Sequence, residues 1–156
     1  MKKIFKATLA LALVLSSIFA LASCSFDTVL GKMPWNKADD TSNNELIWES
    51  ATYTSDREFG TGAKTLTVKV EQNENSVTFT IHTDKEAVGA ALIEHSLIDG
   101  EEGAYGLYIK KVNGIIADYD IDQSYWAFYE GESYAMSGVD TTNIEEGVIY
   151  RLVYTK

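Results

Sequence analysis

The sequence predicts an α+β domain in which one helix packs on a mixed or antiparallel sheet. Three observations lead there. In 66–71 and again in 77–82, apolar and polar residues alternate on either side of a run of turn formers. One stretch, 83–98, carries helical spacing. From 105 onward the chain returns to short runs rich in valine, isoleucine, tyrosine and phenylalanine, and the single proline, Pro34, precedes all of them.

Lys2, Lys3 and Lys6 precede an apolar run over 7–22, the layout of an export signal and short for a membrane span. The run ends Leu21, Ala22, Ser23, Cys24. Small residues before the only cysteine resemble the lipobox of bacterial lipoproteins. That resemblance implies cleavage after residue 23, acylation of Cys24, a membrane anchor through the lipid, and a domain on the extracellular face. The mature chain then has no free thiol and no internal disulfide, so its core alone must hold the fold. Residues 1–23 hold three lysines and no acids, so their removal takes the formal charge from −10 to −13. Such a surface repels nucleic acid and anionic headgroups.

Residues 24–44 read as a lipid-anchored linker because of Gly31, Pro34 and a polar tail. A flexible coil of this length spans on the order of 25 Å. Leu30, Met33 and Trp35 are the residues that could dock instead. Residues 45–156 then form one domain of ordinary size. The stretch 46–54 is strand-like, and Phe59 to Gly62 reads as a loop into a hairpin. Leu66, Val68 and Val70, then Val77, Phe79 and Ile81, define the two hairpin strands, with a turn at 72–76. Thr83 and Glu86 fit a capping box. Val88, Ala91, Leu92 and His95 recur at helical spacing, and Asp99–Gly100 stops the helix. Strands come next at 105–112, with a turn at Asn113–Gly114 into 115–116. Others lie at 125–129, with a turn at Glu130–Gly131 into 133–136, and at 148–154.

A hairpin, then a helix, then more strands matches the β-grasp order. Residues 105–109 followed by Val112, Asn113 and Gly114, then 125–129, then Gly138 and Val139, then Glu146 and Gly147, resemble the transcobalamin-like C-terminal domain of bacterial lipoproteins. The resemblance covers 64–156 and implies a soluble-ligand-binding β-grasp domain whose own function is undefined. It brings cobalamin forward as a ligand. In the vertebrate carriers, however, that ligand lies between such a domain and a larger helical one, and on one face alone a cobalamin would stay half exposed.

Two groups of residues could carry binding. Tyr105, Tyr125, Trp126, Tyr129 and Tyr134 are aromatic candidates for stacking on a ring, a sugar or a peptide. Alternation puts Tyr125 and Tyr129 outward and Trp126 and Phe128 in the core, and cross-strand packing is the bland reading of the tyrosines. Asp118, Asp120 and Asp122 offer hard oxygens at alternate positions for calcium. Gln123 stands where an EF-hand needs glycine, and a solvated acidic turn is the alternative. His82 and His95 are expected to lie far apart. No thiol, paired catalytic carboxylate or phosphate loop is evident, so a non-catalytic domain is expected. Its partner is a small molecule or glycan, or else a surface protein that adds a strand to a sheet edge, with Lys110 and Lys111 guarding one edge.

Overall fold

The computed structural model describes residues 47–104 and 106–156. Cys24, the export signal, the linker and Tyr105 lie outside these. Among the described residues no helix is long and apolar enough to cross a membrane.

Sheet dominates. The strands are β1 (Arg57–Gly60), β2 (Lys64–Gln72), β3 (Asn75–Thr83), β4 (Ile98–Gly103), β5 (Gly106–Val112), β6 (Ile115–Ile116), β7 (Tyr125–Glu130), β8 (Ser133–Tyr134) and β9 (Ile149–Thr155). Helix α1 spans Val88–Glu94, and a single turn, α2, spans Tyr119–Asp122. Among the described residues two sheets form where one was expected: six strands in the order β1-β3-β2-β9-β7-β8, and three in the order β4-β5-β6.

The predicted hairpin is the longest element. Strands β2 and β3 pair antiparallel from Lys64↔Thr83 to Gln72↔Asn75, with Asn73 at φ 54 in the tight turn. Their alternation buries Leu66, Val68, Val70, Val77, Phe79 and Ile81 on one face. The last strand, β9, returns to the middle of the sheet, parallel to β2 and antiparallel to β7. The buried sides of α1 (Val88, Ala91, Leu92) and of the small sheet (Ile98, Ile109, Val112, Ile115) join the same core. Each fully buried aliphatic or aromatic side chain there contributes about 1.5–3 kcal/mol.

Several local expectations fail for identifiable reasons. The stretch 46–54 is no strand over its described part. Residues 47–51 turn, with Ser50 N donating to Ile47 O at 3.1 Å and Ala51 N to Trp48 O at 2.9 Å. Asn113 then ties down Tyr53: its side chain bonds both Tyr53 N (2.9 Å) and Tyr53 O (2.7 Å). Phe59 and Gly60, read as the start of a loop into the hairpin, instead end a strand, β1, that pairs parallel with β3. The capping box does not form. Helix α1 begins at Val88 with Ala87 as its uncapped start, and the Thr83 hydroxyl accepts from Lys85 N at 3.1 Å. The helix ends before Asp99–Gly100, at Ser96 (φ 56), where Leu97 N donates back to Leu92 O and Ser96 N to Ile93 O, both at 2.9 Å. Asp99 and Gly100 lie in β4, at a break in its register with β5.

Candidate functional site

The sheet has a core face and an outer face. Trp126 and Phe128 belong to the core face, 6% and 7% exposed, so Trp126 offers no stacking surface. Tyr125 and Tyr129 lie on the outer face. Tyr129 is paired with Tyr134, the rings 5.3 Å apart and edge to face. Arg151 lies over the Tyr129 ring at 5.3 Å and is held by Glu71 (2.8 Å) and Glu132 (3.2 Å). Lys69 pairs with Glu71 at 2.6 Å. Burial pushes the Glu71 carboxyl up, but the hydrogen bonds and charges of Lys69 and Arg151 outweigh it and hold the carboxyl below its ordinary value. Tyr119 meets Tyr125 edge on at 6.5 Å.

The acidic run is neither extended nor an open loop. Asp118 caps α2, its side chain accepting from Asp120 N at 3.0 Å. Asp122 accepts from Ser124 N at 3.1 Å and pairs with Lys156 at 3.2 Å. The Ser124 hydroxyl, donating to Asp122, is the main cause holding that carboxyl below its ordinary value. Two of the three carboxylates are thus engaged within the turn. Among the described residues no three His, Cys, Asp or Glu side chains gather to hold a metal ion.

A cleft of about 460 Å³ opens elsewhere, lined by Gly60, Thr61, Gly62, His82, Thr83, Asp84, Lys85, Glu94 and His95. It brings together the two histidines expected to lie apart. His82 stands on the outer face, with Nε2 2.8 Å from Glu58 Oε1 and Nδ1 3.3 Å from Thr65 Oγ1. His95 comes just after the last turn of α1, its ring stacked on Phe59 at 5.2 Å and 27°. Phe59 also meets Phe79 at 5.9 Å and Tyr53 at 5.6 Å, so an aromatic cluster fixes the His95 ring plane. Gly60 permits this approach. It has φ +76, and a Cβ there would sit 2.0 Å from His82 O and 3.4 Å from His95 Nε2. A Cβ on Gly62 would sit 2.0 Å from Thr83 C. Asp84 accepts from Ala63 N at 3.0 Å, and Lys85 reaches Glu94 at 3.7 Å. The cleft size falls within the range of small-molecule sites, and its lining is polar with charges of both signs. Lys110 and Lys111 guard no edge: they pair with Glu101 and Asp99 from β5, the middle strand of the small sheet.

No family model and no curated protein matches this chain. Solved structures do. A protein from Ruminococcus gnavus, named provisionally as a metal binding protein, is 31% identical with a TM-score of 0.56, over 60% of this chain and 97% of that one. Haptocorrin in complex with Cbi is 19% identical with a TM-score of 0.49, and the match spans 60% of this chain but only 25% of haptocorrin. At that score the second likeness carries no argument. The folded domain is therefore a distant relative, through its fold, of the Ruminococcus gnavus protein.

Proposed function

We propose that this chain is a bacterial lipoprotein, anchored through acylated Cys24, whose domain binds a small polar ligand outside the cell without catalysing its conversion. The observation that carries the binding half is the cleft between the ends of β1 and β3 and the end of α1. His82, His95, Lys85, Asp84 and Glu94 line a single space of small-molecule size. The Leu21–Cys24 motif carries the anchoring half. The hairpin, the helix after it and the central return of β9 beside β2 support a β-grasp arrangement and membership of the transcobalamin-like group. Cobalamin itself enters through that resemblance alone.

A divalent metal ion is the second reading, favoured by His82 and His95 in the same cleft and by the name given to the Ruminococcus gnavus protein. Strand addition is less favoured: edge strands β6 and β8 have two residues each, and edge strand β4 carries a register break.

Calorimetric titration of the detergent-solubilised full chain with cobalamin, related tetrapyrroles, polar metabolites and divalent ions tests the binding. Binding of one class, weakened by His95→Ala, supports the cleft. Binding unaffected by that change places the ligand elsewhere, and no binding by any class removes this reading. Cys24→Ala should move the chain from the detergent phase to the aqueous phase on partitioning, and equal partitioning would remove the lipid anchor.

A further inference from the structure

The outer face of the six-stranded sheet has a character of its own. Its side chains include Glu58 from β1, Thr78, Thr80 and His82 from β3, Thr65, Thr67, Lys69 and Glu71 from β2, Ile149, Arg151, Val153 and Thr155 from β9, and Tyr125, Ala127 and Tyr129 from β7. Apart from Ala127, which is buried, none of these belongs to the core. The chain carries a formal charge of −10, yet the charges of this face are balanced within it. Glu58 meets His82, while Glu71 meets Lys69 and Arg151, and Arg151 also meets Glu132 from the adjoining turn. A charged partner gains little from such a face, because Glu71, Lys69 and Arg151 already have opposite neighbours and Glu58 is hydrogen-bonded to His82.

What the face offers instead is hydroxyls and rings. Thr67 and Thr80 stand directly opposite each other, and Lys69 is opposite Thr78. At the β7–β8 edge, Tyr134 is 59% exposed, and Tyr119, beside Tyr125, is 56% exposed. Tyr125 and Tyr129 are four residues apart on one strand, about 13 Å at the rise of a β-strand. Tyrosine presents a flat apolar face with a polar tip, and threonine both donates and accepts. A flat molecule with apolar ring faces, many hydroxyls and no charge matches this combination.

We infer that this face is a platform for a neutral linear glycan, which stacks sugar rings along the tyrosine edge and hydrogen-bonds to the threonines. The tyrosine end of this face is set apart from the cleft: β3, which carries His82, and β7 are three strand spacings apart, about 14 Å.

Affinity electrophoresis of the detergent-solubilised full chain tests it, with cellulose-derived and chitin-derived neutral polymers and with heparin as a polyanion. Retardation by a neutral polymer and not by heparin is expected. Tyr134→Ala should weaken it by up to about tenfold, and Tyr134→Phe should restore most of the loss because the ring remains. His95→Ala, in the cleft, should leave it unchanged. Circular dichroism melts confirm that these surface variants are folded. Retardation by heparin alone, by none of the polymers, or by a neutral polymer regardless of Tyr134→Ala would overturn the inference.

Discussion

Gln72 is the most anomalous side chain in the core, and its replacement gives a sharp test of the packing. It closes β2 on the buried face, is 0% exposed, and among the described residues neither its amide nitrogen nor its amide oxygen finds a hydrogen-bond partner. A buried polar group left unpaired costs about 1–3 kcal/mol. Gln72→Met keeps the length of the side chain while removing both orphaned atoms. The expected gain is about 2–4 kcal/mol, reduced if the thioether packs imperfectly. At about 4 °C per kcal/mol for a domain of this size, the thermal midpoint should rise by about 8–16 °C. Urea unfolding should show a higher midpoint at unchanged slope, since the surface exposed on unfolding is nearly the same. A fall in both midpoints would refute the reasoning. The amide would then have partners in solution, most simply an internal water shared with Trp126. Among the described residues the Trp126 indole nitrogen also has no partner, on a strand that pairs with β9 beside the end of β2.

Two other perturbations test the cleft wall and the outer face. Gly60→Ala adds a Cβ 2.0 Å from His82 O at a φ of +76. It should lower the thermal midpoint and abolish ligand binding in the cleft, because β1 must move off β3 to relieve the contact; unchanged calorimetry would show that β1 does not shape the site. Glu71 ionises below its ordinary value because of Lys69 and Arg151. A carboxyl depressed in the folded state contributes stability above its unfolded pKa, and that stability fades as pH falls through the folded value. The wild type should therefore lose stability below about pH 4.5 more steeply than Glu71→Gln, and parallel acid profiles for the two in thermal melts would remove Glu71 as a contributor.

The sequence made some of this legible, and physical reasons separate what it showed from what it hid. The β2–β3 hairpin and the Asn113–Gly114 turn could be read because their signals are local: a period of two along each strand, and residues that adopt positive φ (50 and 85) at the turn. Strand β1 was hidden because it has four residues, and a distant strand recruits it in parallel. Strand β4 was hidden because Asp99–Gly100 also reads as a helix stop, and the real stop used Ser96, a residue without glycine's freedom at positive φ. The tyrosine edge was partly legible, since alternation separated Tyr125 and Tyr129 from Trp126. Its balanced charges were not, because Glu71 and Arg151 are eighty positions apart. The aspartate run looked like a cation loop, yet Asp118 followed by a short helical turn is also a helix cap, and side-chain capping took precedence over convergence of the carboxylates.

The cleft shows why its histidines escaped a reading by spacing. His82 ends a strand and His95 ends a helix, thirteen residues later. The reversal between β3 and α1 brings both to one space, together with a third segment, β1, that neither histidine announces. Phe59 is the joint: one ring meets Phe79 in the core, Tyr53 on the incoming segment and His95 at the cleft. The cleft wall therefore depends on a short edge strand, the four residues of β1. Edge segments of this kind open before the core does. A ligand that bridges the end of β1 to His95 would close that weak edge, so its binding should register as stability as well as occupancy. The outer face draws nothing from this edge at its tyrosine end, where β7 is held by β9 over six residue pairs. Binding in the cleft can thus change while the platform stays as it is.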